Sequence, residues 1–150
     1  MSHSYCSALF HVVFSTKSRR NFISADLRPR LWPFIGGIAR QNNFKALAVG
    51  GTDNHAHILA SLPANMPISK AVQLLKSGSS KWIHDTFPAH ESFGWQEGYA
   101  AFSVSISAVA DTIAYIERQE EHHRTRTFED EFVAFLSKHG IEYDPQFVLG

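Results

Sequence analysis

The sequence has few of the features that mark secreted or membrane proteins. Cys6 is the only cysteine among 150 residues, so neither an intrachain disulfide nor a cysteine-based zinc site can form. A lone cysteine is consistent with a reducing cytoplasm, where we expect the protein to be located. The longest apolar run near the start, residues 8–14, is interrupted by His11 and is too short to cross a membrane. We therefore expect no membrane partner and no signal peptide.

An excess of charge of one sign is also missing. The 14 Lys and Arg residues balance the 14 Asp and Glu residues, so the chain lacks the overall positive field of a protein that coats nucleic acid. The basic residues are clustered, however, and local patches can steer a polyanion even when the sum is neutral. Ordinary solvated charge is the alternative for each cluster. The candidate DNA-binding residues are Lys17, Arg19 and Arg20 in one loop, and Lys76 and Lys81 in one later segment.

The order of apolar patterns predicts the fold class. A hydrophobic fraction of 44%, a charged fraction of 19% and the lack of internal repeats favour one domain over residues 1–150. Alternating and helical spacings then predict the order βαββαβ followed by further helices. This order is typical of an α/β (α+β) protein, here a ferredoxin-like sandwich with an antiparallel sheet and extra C-terminal helices. The predicted strands are 8–15, 44–49, 55–62 and 101–104, and the first two helices follow Ser24 and Pro67.

Two helices are predicted after the last strand. The first, a tyrosine helix over about residues 107–123, has Ser107 as its expected cap. The C-terminal helix and tail cover about residues 127–150, with Thr127 as the helix cap. In the tyrosine helix an apolar stripe of Val109, Ile113 and Ile116 leaves Tyr115 and Gln119 on nearly the opposite side. A structural tyrosine would lie on the stripe, so Tyr115 is predicted to face another surface or a site.

Two histidines form the candidate metal motif. His55 and His57 stand two residues apart in a predicted central strand, so both imidazoles point to one face. Such a pair alone is a weak signal, because many histidine pairs simply hydrogen-bond in a core. The position directly after a glycine-rich turn, in an otherwise apolar strand, favours a metal site. Two neutral imidazoles with an oxygen ligand leave open positions on Mg²⁺ or Mn²⁺ that phosphate oxygens can fill.

A tyrosine and a glutamine could complete this site. Tyr115 and Gln119 are four residues apart, so they lie on one helix face, and the Gln119 amide oxygen can serve as a metal ligand. A free phenol has a pKa of about 10, and a neighbouring divalent cation favours its ionised form. A tyrosine nucleophile would store a broken phosphodiester bond as a phosphotyrosine ester, so that strands could be rejoined without ATP.

Several segments together resemble a known family. The stretches VGGTDNHAHILASLP, SSKWIH, WQEGYAAFSVS and YIERQEEHHRTRTFEDEF are similar, in order and spacing, to single-tyrosine HUH transposases of small insertion sequences, including the IS200-like and REP-associated branches. This resemblance implies a ferredoxin-like fold, a homodimer and a substrate of single-stranded DNA hairpins. It also implies that His55 and His57 bind the metal, that Tyr115 is the nucleophile and that Gln119 is the third ligand. The family places the tyrosine helix of one subunit against the histidines of the other.

The expected function is therefore that of a metal-dependent DNA transposase. It would nick and rejoin single-stranded DNA at hairpin-flanked sites through a covalent 5′-phosphotyrosine intermediate. One alternative is a non-catalytic ferredoxin-like module that binds single-stranded nucleic acid through aromatic side chains and basic loops. Another is a zinc or manganese phosphohydrolase that uses His55 and His57 and releases its product to water. A domesticated transposase that acts on repeats is a third.

Overall fold

The computed structural model describes residues 3–148. Its regular elements are β1 Leu9–Ser15, α1 Arg28–Gln41, β2 Lys45–Gly51, β3 His55–Ser61, α2 Ile68–Thr86, β4 Ala100–Ser103, α3 Val109–Glu117, α4 Gln119–His122 and α5 Phe128–Lys138. Across these residues no helix combines the length and the apolar character needed to cross a membrane.

The four strands form one antiparallel sheet in the order β2-β3-β1-β4. This arrangement confirms the predicted βαββαβ order and the ferredoxin-like antiparallel sheet. The β2–β3 hairpin is tighter than expected, because the strands extend to Gly51 and resume at His55. The two inner strands are β1 and β3, which pair from Leu9↔Ser61 to Ser15↔His55. The histidine strand is therefore central, as predicted.

The two faces of the sheet carry different chemistry. Along β3 the side chains of Ala56, Ile58 and Ala60 enter the main core, where they lie with residues of α1 and α2. His55 and His57 point to the other face, since successive residues of a strand alternate. On that face Glu131 of α5 contacts His57. The candidate site thus lies on the face that α1 and α2 leave uncovered.

The first helix begins later than its apolar pattern. The Leu27 N–H donates to Ser24 Oγ at 3.3 Å, but the helix itself begins at Arg28. Pro29 lies in the first turn, where a backbone N–H has no intrahelical partner to lose. Pro29 therefore does not interrupt the helix.

The tyrosine helix differs from the prediction of one helix over residues 107–123. It is divided into α3 and α4 at Arg118, whose backbone angles are φ −105° and ψ 21°. Ser107 lies in a short 3-10 turn and shares a hydrogen bond with Ser105, and the cap position of α3 is held by Ala108. Arg118 is neither glycine nor proline, so the sequence pattern had no sign of this break.

The apolar stripe of α3 packs as predicted. Val109, Ile113 and Ile116 lie against Ala48 and Leu59 of the sheet. Gly50 permits this close approach of α3 to β2, because a Cβ at that position would lie 2.5 Å from the carbonyl oxygen of Ile116.

The last helix begins and ends at the predicted signals. Thr127 Oγ1 accepts a hydrogen bond from the backbone N–H of Asp130 at 3.2 Å, which caps the start of α5. Gly140 has φ +64°, the left-handed conformation that commonly ends a helix, and nearby N–H groups return to Leu136 and Ser137. Local hydrogen bonds therefore close both ends of α5.

Candidate active site

The structure brings the four site residues predicted from the sequence into one cluster. His55 and His57 are fully buried, and Gln119 is 1% exposed. The Gln119 Oε1 atom lies 2.9 Å from His55 Nε2, and Tyr115 lies edge-on to the ring of His57 at a centroid distance of 5.9 Å. All four side chains belong to one chain.

A fifth residue, Glu131 of α5, joins this cluster and was missed by the sequence analysis. Its Oε1 atom lies 2.9 Å from His57 Nε2 and 3.6 Å from His55 Nε2. Its Oε2 atom accepts hydrogen bonds from the Tyr115 hydroxyl and, at 3.2 Å, from the Gln119 amide nitrogen. One atom from each of His55, His57 and Glu131 lies within 4.8 Å of the others. The carboxylate thus connects the candidate metal ligands to the tyrosine.

The sequence does contain a signal for Glu131. It follows Glu129 and Asp130 in the first turn of α5, where exposed acids are common and stabilise the helix dipole. Glu131, however, falls at helical spacing from Phe128 and Phe135, on the apolar side of the helix. It is 1% exposed. An acid on an apolar helix face needs a buried partner, and this could have marked it.

The hydrogen bonds around His55 favour a bound cation. Asn54 Oδ1 lies 2.8 Å from His55 Nδ1, and since this oxygen only accepts, the ring proton belongs on Nδ1. His55 Nε2 then carries a lone pair. The Gln119 amide nitrogen donates to Glu131, so the amide oxygen is the atom that faces this lone pair. Two acceptors 2.9 Å apart repel each other unless a cation binds both.

The donor set fits a divalent metal ion. Two imidazole nitrogens, a carboxylate oxygen and an amide oxygen are ligand types that Mg²⁺, Mn²⁺ or Zn²⁺ accept. The separations of 2.9 Å from His55 to Gln119 and from His57 to Glu131 resemble those of adjacent ligands on an octahedral ion. For metal–ligand distances of about 2.1 Å, adjacent ligands lie about 3 Å apart.

His11 supports His57 from the neighbouring strand. The Nε2 atom of His11 lies 2.7 Å from His57 Nδ1, and His11 is buried at 4% exposure. Burial, reinforced by the nearby His57 ring, lowers the pKa of His11 to about 3. A neutral His11 can accept the Nδ1 proton of His57, which leaves His57 Nε2 free to bind a metal. In the sequence His11 was visible only as an interruption of an apolar run.

The pKa shifts leave Glu131 as an ionised carboxylate near a neutral His55 and a neutral Tyr115. Burial, then the charge of His57, lowers the pKa of His55 to about 3, so its imidazole is neutral. Burial favours a protonated Glu131, but the adjoining His123, His57 and Tyr115 outweigh this and hold the pKa of its carboxyl well below the usual range. Burial, followed by the hydrogen bond to Glu131, raises the pKa of the Tyr115 hydroxyl. Without a cation, Tyr115 is therefore a neutral phenol beside a carboxylate.

The predicted DNA-binding residues lie in two separate places. Lys17, Arg19 and Arg20 form a turn directly after β1, and Arg19 Nε lies 3.2 Å from Glu129 of α5. Lys76 and Lys81 belong to α2, on the sheet face opposite the histidines. Lys81 pairs with Asp85 at 2.6 Å. The structure therefore brings the first group near α5 but keeps the α2 lysines away from Tyr115.

Comparison with known proteins places this chain among transposases. Residues 4–119 match the family described as "Transposase IS200 like". The transposase for insertion sequence element IS200 from Salmonella typhimurium LT2 is 24% identical over 87 residues, which is 58% of this chain and 57% of that protein. The IS200 transposase of Salmonella typhi matches to the same extent. The chain thus spans little more than half the length of these curated relatives.

Two solved structures share the fold. A candidate transposase from Deinococcus radiodurans R1 superposes with a TM-score of 0.63 at 23% identity, over 79% of this chain and 96% of that one. A REP-associated tyrosine transposase bound to a REP hairpin superposes with a TM-score of 0.59 at 15% identity, over 82% of this chain and 73% of that one.

The family match covers most of the chain and includes the four residues predicted for the metal and tyrosine site. It extends through the histidine strand and the tyrosine helix to Gln119. Helix α5, which contributes Glu131, lies beyond the matched residues. Because the match spans well over half of its residues, this chain belongs to the IS200-like transposase family.

Proposed function

We propose that this protein nicks and rejoins single-stranded DNA at hairpin-flanked sites through a covalent 5′-phosphotyrosine on Tyr115, with Mg²⁺ or Mn²⁺ as cofactor. The observation that carries the proposal is the shared carboxylate of Glu131, which accepts a hydrogen bond from the Tyr115 hydroxyl on one oxygen and contacts His57 on the other. A nucleophile and a set of metal ligands therefore meet at one buried group. Membership of a transposase family supports the reaction class.

The metal would be held by His55, His57 and an oxygen from Gln119 or Glu131. When bound, it supplies Lewis-acid stabilisation of the charge that develops on the scissile phosphate. The surrounding protein holds the ligands in place, with Asn54 on His55 and His11 on His57. Such outer contacts orient the rings and fix which nitrogen is free to bind.

The chain's own residues account for the bond changes. The Tyr115 oxygen attacks the phosphorus as its proton passes to Glu131, and the bond from phosphorus to the 3′ oxygen breaks. That oxygen takes up a proton and departs as a free 3′-hydroxyl, while the 5′-phosphate remains on Tyr115. In the resting arrangement the Tyr115 hydroxyl donates a hydrogen bond to Glu131 Oε2, so this carboxylate is placed to take the proton. Attack by a 3′-hydroxyl on the ester reverses these steps and rejoins a strand.

The proposed metal ligands and the tyrosine differ in exposure. His55, His57 and Gln119 are at most 1% exposed, and Tyr115 is only partly buried. The ligands are therefore shielded from water, while the tyrosine is open to a DNA phosphate. A tyrosine that can hold a phosphate ester distinguishes the proposed strand transferase from a phosphohydrolase that releases its product to water.

The proposed assembly and location follow from the family resemblance. We propose a homodimer that acts in the cytoplasm on DNA hairpins. The structure of the REP-associated relative was determined with a REP hairpin bound, which supports hairpin DNA as the substrate class. Because Tyr115 and the histidines meet inside one chain, either subunit of a dimer could form its site in cis. A domesticated enzyme that acts on repeats would use the same chemistry.

The decisive experiment traps the covalent intermediate. The protein is incubated with Mn²⁺ and a hairpin oligonucleotide that has single-stranded flanks, labelled separately on the 5′ or the 3′ side of the cut. We expect a protein–DNA adduct on a denaturing gel that retains only the label on the 3′ side, because the 5′-phosphate of that fragment stays on Tyr115. EDTA should prevent its formation. Cleavage without any adduct would indicate a phosphohydrolase, and binding without cleavage would indicate a non-catalytic module.

A further inference from the structure

A groove runs between α3 and α5 and ends at the tyrosine. It encloses about 430 Å³. One wall is a face of α3, the other is a face of α5, and His11 of β1 forms the floor. The α3 wall consists of Ala108, Asp111, Thr112 and Tyr115, and the α5 side consists of Ala134, Phe135 and Lys138, with Arg126 in the turn before α5.

Two cations stand at the ends of this groove. Arg126 lies near the tyrosine, where its charge opposes the increase in the Tyr115 pKa that burial and Glu131 cause. Lys138 occupies the last turn of α5, about 15 Å from the first residue of that helix along its axis. Within residues 3–148 neither Arg126 nor Lys138 forms an ion pair, whereas Arg28 and Lys81 both do.

We propose that this groove binds the single-stranded DNA segment next to the phosphate at Tyr115, with Arg126 and Lys138 each contacting a backbone phosphate at one end of the groove. This inference rests on the proposed function and names the subsite that would position its substrate. Tyr115 lines the groove, and neither cation of the groove is neutralised by an ion pair within residues 3–148. Phosphate oxygens are the ligands that such arginine and lysine side chains commonly bind.

The dimensions and the lining fit a strand rather than a single anion. Ala108, at the cap of α3, and Tyr115 are seven residues apart, which is about 10 Å along the helix. Neighbouring phosphates of one duplex strand are about 3.4 Å apart along the axis, so the groove is long enough for more than one phosphate. Between the cations lie the apolar side chains of Ala134 and Phe135, which suit a base or sugar.

Asp111 gives the proposal a sharp internal test. Its carboxylate lies in the same groove, one helical turn before Tyr115, and would repel a phosphate placed beside it. The backbone phosphates are therefore held at the two ends of the groove and not at its middle. Removal of the Asp111 charge should strengthen DNA binding, while removal of either cation should weaken it.

The experiment measures binding and cleavage separately. Binding is measured by fluorescence anisotropy on protein that also carries Tyr115→Phe, with a labelled DNA hairpin that has or lacks a short single-stranded thymidine flank. Arg126→Gln and Lys138→Gln should each weaken binding of the flanked hairpin and flatten its salt dependence by about 0.7 in slope. Neither should change binding of the hairpin without a flank. Asp111→Asn should tighten binding of the flanked hairpin, and Lys45→Gln, on the exposed start of β2, is the matched control.

The outcomes separate the groove from the proposed function. If Arg126→Gln and Lys138→Gln bind the flanked hairpin as the Lys45→Gln control does, the groove proposal is wrong, whatever the cleavage result. If their effects depend on the flank but the protein with Tyr115 intact forms no adduct, the groove stands and the transposase chemistry fails. Equal binding of a single-stranded RNA flank would overturn the assignment of the groove to DNA.

Discussion

The two faces of the sheet use the same strands for opposite purposes. On one face Ala56 and Ile58 of β3 are buried in an apolar core beneath α1 and α2. On the other face His55 and His57 are equally buried, but each has polar partners from other segments of the chain. The apolar face is stabilised by area removed from water, which depends little on any single partner. The stability of the polar face depends on a hydrogen-bond partner for each buried polar group.

This difference predicts which variants unfold the protein and which only inactivate it. Truncation on the apolar face leaves a cavity and lowers the free energy of unfolding. A change on the polar face removes a ligand or a nucleophile, so its main effect is on chemistry. The predictions below test that division, from the largest expected effect to the smallest.

Tyr115→Phe should abolish covalent cleavage and leave the fold intact. The change removes only the hydroxyl that donates to Glu131, so the ring contacts with His57 and Phe135 are retained. Adduct formation is measured on a denaturing gel, and hairpin binding serves as the control for folding. If the Phe variant still forms an adduct, the nucleophile is another tyrosine, and Tyr5, Tyr99 and Tyr143 are the remaining ones.

His57→Ala should remove divalent-metal binding and activity. The variant lacks one of the two imidazole ligands, and it also leaves His11 and Glu131 without their buried partner. Metal affinity is measured by isothermal titration with Mn²⁺, and excess EDTA should reproduce the loss of activity in the unchanged protein. Full cleavage in excess chelator would show that the histidines serve another role.

Glu131→Gln tests whether the carboxylate is a metal ligand. The amide has nearly the same shape but no charge, so we expect weaker Mn²⁺ binding than in the unchanged protein. Gln119→Glu is the complementary variant, because it adds a carboxylate at the neighbouring position. Unchanged Mn²⁺ affinity in Glu131→Gln would leave Gln119 as the oxygen ligand and assign Glu131 to the tyrosine alone.

Ile58→Ala should destabilise the protein without changing its chemistry. Ile58 is fully buried on the apolar face, and truncation of such a residue costs about 2–5 kcal/mol. Urea denaturation measures this loss, and adduct formation per folded molecule should match that of the unchanged protein. A selective loss of adduct by folded Ile58→Ala protein would contradict the separation of the two faces.

Acid should destabilise the protein through its buried histidines. Burial lowers the pKa of His11 and of His55 to about 3, whereas the unfolded residues titrate near 6.5. Between these values the unfolded chain binds more protons, so stability should fall as the pH drops below about 6.5. Urea denaturation in EDTA at several pH values measures the slope. His11→Phe should flatten it, and Ile58→Ala should leave it unchanged.

Local patterns predicted much of the fold and part of the site. Three of the correct predictions depend only on a few neighbouring residues. A period of two finds the shared face of His55 and His57, and a period of 3.6 finds the apolar stripe of α3. The Thr127 cap is found from its residue type and position. The break at Arg118 was not predicted, because no glycine or proline marks it. The β2–β3 turn is tighter than predicted, because β2 continues two residues further, through Gly50 to Gly51.

By itself the sequence determined the βαββαβ order, the shared face of the two histidines and the position of Tyr115 away from its apolar stripe. Only the tertiary structure decided which side chains complete the site. His11 and Glu131 are 46 and 74 residues away from His57, and both contact it. Strand pairing between β1 and β3, and the packing of α5 across the sheet, bring these residues together. The physical reason is that such contacts depend on long-range packing, which leaves no periodic signal in the chain.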